Sequence, residues 1–130
     1  MMFDPIPQED ERIATIIVDS ALKVHKALGP GLLETVYEVC LAYELRKRGL
    51  RVRQQEPVPI VYDNLRFVEA FRFDLLVEER VLCEIKSVDD LHPICTAQLL
   101  TYLKLMNLRL GFLMNFNERL IKDGIHRIVN

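Results

Sequence analysis

The stretch Phe71–Lys86 constrains this chain more than any other. It runs Phe-Arg-Phe-Asp-Leu-Leu-Val, then Glu78-Glu79-Arg80, then Val-Leu-Cys-Glu-Ile-Lys. A short charged break between two apolar runs predicts a β-hairpin. With Glu78–Arg80 as the loop, Val77 faces Val81, Leu75 faces Cys83, Asp74 faces Glu84 and Arg72 faces Lys86. Side chains alternate faces along a strand, so Phe73, Leu75, Val77, Val81, Cys83 and Ile85 share one apolar face. The other face carries Leu76 and Leu82 near the turn, and Asp74, Glu84, Lys86 and Arg72 at the open end. Two carboxylates then stand opposite each other with Cβ atoms about 5 Å apart. Like charges so placed destabilise a sheet unless they are neutralised. Lys86 and Arg72 can do part of this, and a divalent cation more, because hard cations prefer carboxylate oxygens. A loop one residue shorter or longer would put Asp74 and Glu84 on opposite faces.

The chain has 130 residues, half of them hydrophobic, which predicts one domain with a core of its own. No apolar run approaches the roughly 18 residues of a membrane span. Residues 1–8 predict a short loose tail, and Met1–Pro7 lacks the basic-then-apolar pattern of a signal peptide. Cys40, Cys83 and Cys95 form no CxxC pair and leave one over, which points to reduced thiols and a cytoplasmic setting. A net charge of −2 gives no global pull on nucleic acid. Binding of a polyanion would need a local patch or bound metal.

Apolar residues at helix spacing (Ile13, Ile16, Ile17, Ala21, Val24, Leu28) predict a first helix from about Glu9 to Leu28, stopped by Gly29-Pro30. A second is predicted from about Leu32 to Arg48, with the stripe Leu33, Val36, Tyr37, Cys40, Leu41 and Leu45. Leu50–Tyr62 predicts a strand, and Pro57 and Pro59 make it edge-like or bent. Asp63-Asn64 marks a turn. The hairpin follows, over about Phe67–Ser87. A third helix is expected over about Pro93–Met106, with Gln98 and Tyr102 on one face and Leu99, Leu103 and Met106 packing on the sheet. Leu110–Phe116 predicts a buried strand and Ile125–Val129 a short last one. The fold class is therefore α/β in the broad sense (α+β, a central mixed sheet flanked by helices) with the order ααβββαβ(β).

That order and a set of short motifs resemble the PD-(D/E)XK nuclease superfamily, and within it the small GxxExxY family. The naming motif is Gly31-Leu-Leu-Glu34-Thr-Val-Tyr37, preceded by Val24-His25-Lys26-Ala27-Leu28-Gly29-Pro30. The superfamily core is Asp74 followed by Glu84-Ile85-Lys86. Gln98 and Tyr102 resemble the Gln-xxx-Tyr helix of exonuclease-like branches. The resemblance spans roughly Ile13–Asn130. Phe73 stands where the superfamily name has proline, a common departure. The resemblance implies a restriction-endonuclease-like core and a Mg²⁺- or Mn²⁺-dependent nuclease acting on DNA or, second, RNA.

It also implies the roles. Asp74 and Glu84 would hold the ion with the backbone carbonyl of Ile85, and Glu34 would complete the acidic cluster. Lys86 would orient or activate the attacking water. Gln98 and Tyr102 would contact phosphate or order the site, with His25 and Tyr37 nearby in substrate-binding or site-ordering roles. Each residue has a plainer reading from its type alone. Asp74 and Glu84 could form a salt-bridge cluster with Arg72 and Lys86, Glu34 could be a first-turn glutamate favoured by the helix dipole, and Gln98, Tyr102, His25 and Tyr37 could be ordinary surface or packing residues. His92 and His126 are too isolated to suggest zinc. The basic run Arg46, Lys47, Arg48, Arg51 and Arg53 is either a solvated surface or a track for a phosphate backbone. A catalytically silent domain of the same fold, binding nucleic acid or a protein partner, stays open. So does a homodimer or larger assembly.

Overall fold

The computed structural model describes residues 4–130. Its elements are α1 (Gln8–Leu28), α2 (Glu34–Lys47), β1 (Val52–Tyr62), β2 (Leu65–Val77), β3 (Val81–Lys86), α3 (Ile94–Met106), β4 (Leu110–Asn115), one 3-10 turn (Ile121–Asp123) and β5 (Ile125–Val129). The strands form one mixed sheet in the order β1-β2-β3-β4-β5. All neighbours are antiparallel except β3 and β4. A parallel pair needs a crossover, and α3 supplies it. β1 lies at the sheet edge, where Pro57 and Pro59 cost no ladder partner on the outer side.

Two cores sandwich the sheet. On one face Ile13, Ile17 and Ala21 of α1 and Leu41 and Leu45 of α2 pack on Leu75, Val77, Val81, Cys83, Ile85, Phe112 and Met114. On the other, Leu99 and Leu103 of α3 pack on Phe73, Leu76, Leu82 and Leu113. β4 is buried along its whole length, which explains its near-continuous apolar sequence.

Three expectations need correction. Of the expected loose tail, residues 1–3 lie outside the described residues, but the rest is anchored. Ile6 packs against the larger core, and Arg109 Nη2 donates to the Asp4 carbonyl at 2.8 Å. The stripe expected on α2 holds at Tyr37, Cys40, Leu41 and Leu45 but fails at Leu33 and Val36. Its buried face is Tyr37, Leu41, Ala42 and Leu45, with Glu38 and Glu44, whereas Leu33 is 77% exposed and Val36 faces outward. The helix starts only at Glu34, so Leu33 stays in the preceding extended backbone. Finally, Phe73 does not share a face with Leu75: it joins Leu76 and Leu82 under α3. Alternation breaks at Asp74, between two residues that a regular strand would place together.

Beyond Ile60 the β1–β2 hairpin leaves the body of the protein. Residues 61–70 are all exposed, and among them stand Val61, Tyr62, Leu65, Phe67 and Val68.

Candidate active site

The hairpin loop has the expected length. Val77 pairs with Val81, Leu76 with Leu82 and Leu75 with Cys83. Glu78 and Glu79 take left-handed backbone (φ 53° and 57°), and arginines hold both side chains, Arg51 on Glu78 and Arg53 on Glu79. Past Cys83 the ladder between β2 and β3 ends, while β3 stays paired to β4 as far as Lys86 and Asn115. The strands fork there, and Asp74 and Glu84 sit at the fork. Each carboxylate takes a backbone N–H that the parting strands leave free. Asp74 N–H donates to Glu84 Oε1 at 3.3 Å, and Ile85 N–H donates to Asp74 Oδ2 at 2.7 Å.

This crossed pair sets the electrostatics. Burial, and then the Asp74 carboxylate beside it, push the Glu84 carboxyl up to about 9, while Lys86 pulls in the other direction. Among the described residues neither acid is ion-paired. The salt-bridge cluster with Arg72 does not form: Arg72 turns to Glu69 and to the Gln55 carbonyl. Lys86 lies close enough to act on Glu84 through its charge, without a direct ion pair among the described residues.

Glu34 occupies the first, exposed turn of α2 and is not gathered with Asp74 and Glu84. Among the described residues no three His, Cys, Asp or Glu side chains form a ready ligand set. One turn further on, Glu38 faces the sheet and is buried. Burial raises its carboxyl, the Gln55 and Gln54 amides offset part of this, and the Asp74 and Glu34 charges add to the rise. Gln55 Nε2 donates to Glu38 Oε1 at 2.6 Å and to Asp74 Oδ1 at 2.8 Å. Glu38 and Gln55 are the residues that sequence reasoning missed. Glu38 was findable, since it follows Glu34 by one helical turn. Gln55 was not, because its reach depends on a left-handed backbone (φ 48°) that the residue type does not announce.

From the other face, α3 presents Gln98 and Tyr102 together. Burial raises the Tyr102 hydroxyl, the Glu84 and Asp74 charges raise it further, and a hydrogen bond from Gln98 opposes them. The Tyr102 ring stacks flat on Phe71, with centroids 3.9 Å apart.

His25 and Tyr37 act on the loops instead of reaching the acids. His25 Nε2 lies 2.8 Å from the Glu118 carbonyl. The Tyr37 hydroxyl donates to the Gly29 carbonyl at 2.6 Å and accepts from Leu32 N–H at 3.0 Å. This closes the loop between α1 and α2, in which Gly29 and Gly31 take positive φ. Ser87 then ties that loop to the end of β3 by donating to the Leu32 carbonyl at 2.6 Å. Buried Asn115 clamps Val88 from both sides, accepting its N–H and donating to its carbonyl. A methyl group at Gly124 would overlap the Asn115 carbonyl oxygen. We therefore expect Gly124→Ala to cost about 1–3 kcal/mol, seen as a lower denaturation midpoint with an unchanged m-value.

The basic run does not form a free track. Arg46 bonds Gln54 and the Val52 carbonyl, Lys47 pairs with Glu44, Arg48 with Asp19, Arg51 with Glu78, and Arg53 with Glu56 and Glu79. Acidic residues of α1, α2, the hairpin loop and β1 take up the charges of Lys47, Arg48, Arg51 and Arg53, while Arg46 is held by neutral acceptors.

The fold is thus a mixed sheet covered on both faces, with two acids and a lysine at a strand fork. A family model for the PD-(D/E)XK nuclease superfamily matches residues 11–128. The chain belongs to that superfamily. No curated protein and no solved structure gives a match. No helix among the described residues is long and apolar enough to cross a membrane.

Nucleases of this superfamily usually use divalent metals, and the fork fits such an ion in its chemistry. It offers two acids to which no cationic side chain is bonded among the described residues, one of them lifted far above its ordinary range by burial and then by the Asp74 charge. Hard oxygen donors of this kind suit Mg²⁺ or Mn²⁺, which keep several waters when carboxylates are few.

Proposed function

We propose that this protein is a Mg²⁺- or Mn²⁺-dependent nuclease of the GxxExxY type that hydrolyses phosphodiester bonds in DNA or RNA. The observation that carries this is the crossed pair at the fork: Asp74 and Glu84 each hold a backbone N–H of the other's segment, and neither has a cationic partner among the described residues. A bound divalent ion would polarise the phosphodiester and lower the pKa of a coordinated water. Asp74 and Glu84 would hold it. Lys86, without an ion pair among the described residues and close to Glu84, would orient the attacking water and stabilise charge developing on the phosphate. Tyr102 and Gln98, fixed by the Phe71 stack, would meet the substrate from the α3 side.

The test is hydrolysis of labelled single- and double-stranded DNA and RNA with Mg²⁺ or Mn²⁺, using Asp74→Ala and Glu84→Ala as controls. Metal-dependent cleavage lost in both variants supports the reading. Absence of cleavage from every substrate would overturn it. The basic run, which leaves no free track for a phosphate backbone, favours one second reading, a nuclease-fold domain that does not cut and docks a protein partner in preference to nucleic acid; metal binding without turnover would select it.

Metal binding should also depend on pH in a set direction. Glu84 holds its proton up to about 9, and a ligating carboxylate must lose it. Mn²⁺ affinity should therefore rise from pH 6 to pH 9, with protons released on binding. Calorimetric titration in two buffers of different ionisation enthalpy measures both.

A further inference from the structure

Glu38 and Asp74 belong to different elements, yet one nitrogen joins them. Gln55 Nε2 lies 2.6 Å from Glu38 Oε1 and 2.8 Å from Asp74 Oδ1. A primary amide nitrogen carries two hydrogens, so both are committed to carboxylates. Gln54 also reaches Glu38, at 3.4 Å from Oε2. Consecutive residues of a regular strand point to opposite faces, and the left-handed backbone at Gln55 (φ 48°) removes that restriction. Register pairs flank this point on both sides, Gln54 with Leu75 and Glu56 with Phe73. Arg72 fixes the bend by donating to the Gln55 carbonyl at 2.7 Å. Glu38 alone does not require such a bend, because Gln54 reaches it without one. What the bend adds is the bond to Asp74.

Asp74 is consequently held at both oxygens, Oδ2 by Ile85 N–H and Oδ1 by Gln55. Each oxygen keeps a second lone pair for another partner. The geometry points to Gln55 as a positioning residue that, braced on Glu38, presets the Asp74 carboxylate for a divalent cation. This rests on the metal-dependent reading of the fork. Glu38 serves in it as the acceptor for Gln55 at Oε1, an oxygen that glutamine keeps at the cost of the weaker Gln54 bond.

The experiment is titration of Mn²⁺ into the full chain, with free ion followed by electron paramagnetic resonance, and thermal melts run in parallel. Gln55→Ala should weaken Mn²⁺ binding about 10–100-fold, the usual effect of removing a partner that orients a ligand. Gln55→Gly should weaken it equally while melting at or above the wild-type temperature, because glycine accepts positive φ without strain. Glu38→Gln, which keeps one acceptor oxygen for Gln55, should weaken Mn²⁺ binding far less than Asp74→Ala does. A glycine variant that melts lower yet binds Mn²⁺ as the wild type does would show a merely structural glutamine and overturn the inference alone. Loss of binding in Glu38→Gln as complete as in Asp74→Ala would make Glu38 a ligand and also overturn it. A wild type that binds no Mn²⁺ would overturn both this inference and the metal-dependent reading.

Discussion

Replacing Glu84 by glutamine is expected to stabilise the metal-free protein at pH 8 while abolishing metal-dependent cleavage. In the folded chain the Glu84 carboxyl sits at about 9, against an ordinary value of 4.5. Below 4.5 the folded and unfolded forms both hold the proton, and nothing is lost. Between these two values the unfolded chain releases it and the folded chain keeps it, so stability falls as pH rises through the interval. Glutamine copies the protonated acid: its oxygen can accept Asp74 N–H and its amide can donate to the Asp74 carboxylate. The gain should grow by up to about 1.4 kcal/mol for each pH unit between 4.5 and 8, shrinking towards zero near pH 4.5. Urea melts in chelator at pH 5 and pH 8 measure it. Equal wild-type and variant midpoints at pH 8 would show that Glu84 is ionised in the folded protein without cost. The same variant should lose activity by about 10²–10³-fold or more. The site would then be a place where stability is given up for function.

Lys86→Ala should separate chemistry from binding. Lys86 is free of ion pairs among the described residues, so its removal strands no carboxylate. Single-turnover cleavage should fall by roughly 10²–10³-fold, the scale for losing one group that stabilises a transition state. Mn²⁺ binding should persist, weakened slightly at neutral pH, because Lys86 helps to hold the Glu84 carboxyl down. Asp74→Ala should lose both binding and cleavage. If Lys86→Ala cut at the wild-type rate, the lysine would be assigned to the surface and its proposed catalytic role withdrawn.

The hairpin shows how far local pattern reaches. A three-residue charged break fixes the pairing of Leu75 with Cys83, and that pairing carries Asp74 to Glu84. The third helix and the buried fourth strand were equally readable, because each is written in apolar periodicity, whereas the parallel pairing of β3 with β4 was not. What failed was whatever depends on a backbone irregularity or on a partner distant in the chain. Alternation placed Phe73 beside Leu75, but the strand breaks its alternation at Asp74. Gln55 looked like an ordinary strand residue because nothing in its type signals a positive φ. Arg48 and Arg53 looked free because Asp19 and Glu79, which bind them, lie 29 and 26 residues away. Glu34 is the glutamate the motif names, but Glu38, one helical turn on, is the one buried against the sheet.

The exposed end of the β1–β2 hairpin has a consequence for how the molecule opens. Two strands without a layer behind them gain little from burial, so this end frays at low free-energy cost. β3 and β4, covered on both faces, come apart only with the whole domain. Asp74 lies on the inner side of that boundary and Val68 on the outer. The arm can therefore unravel and re-form many times during the life of one folded molecule without disturbing the acids.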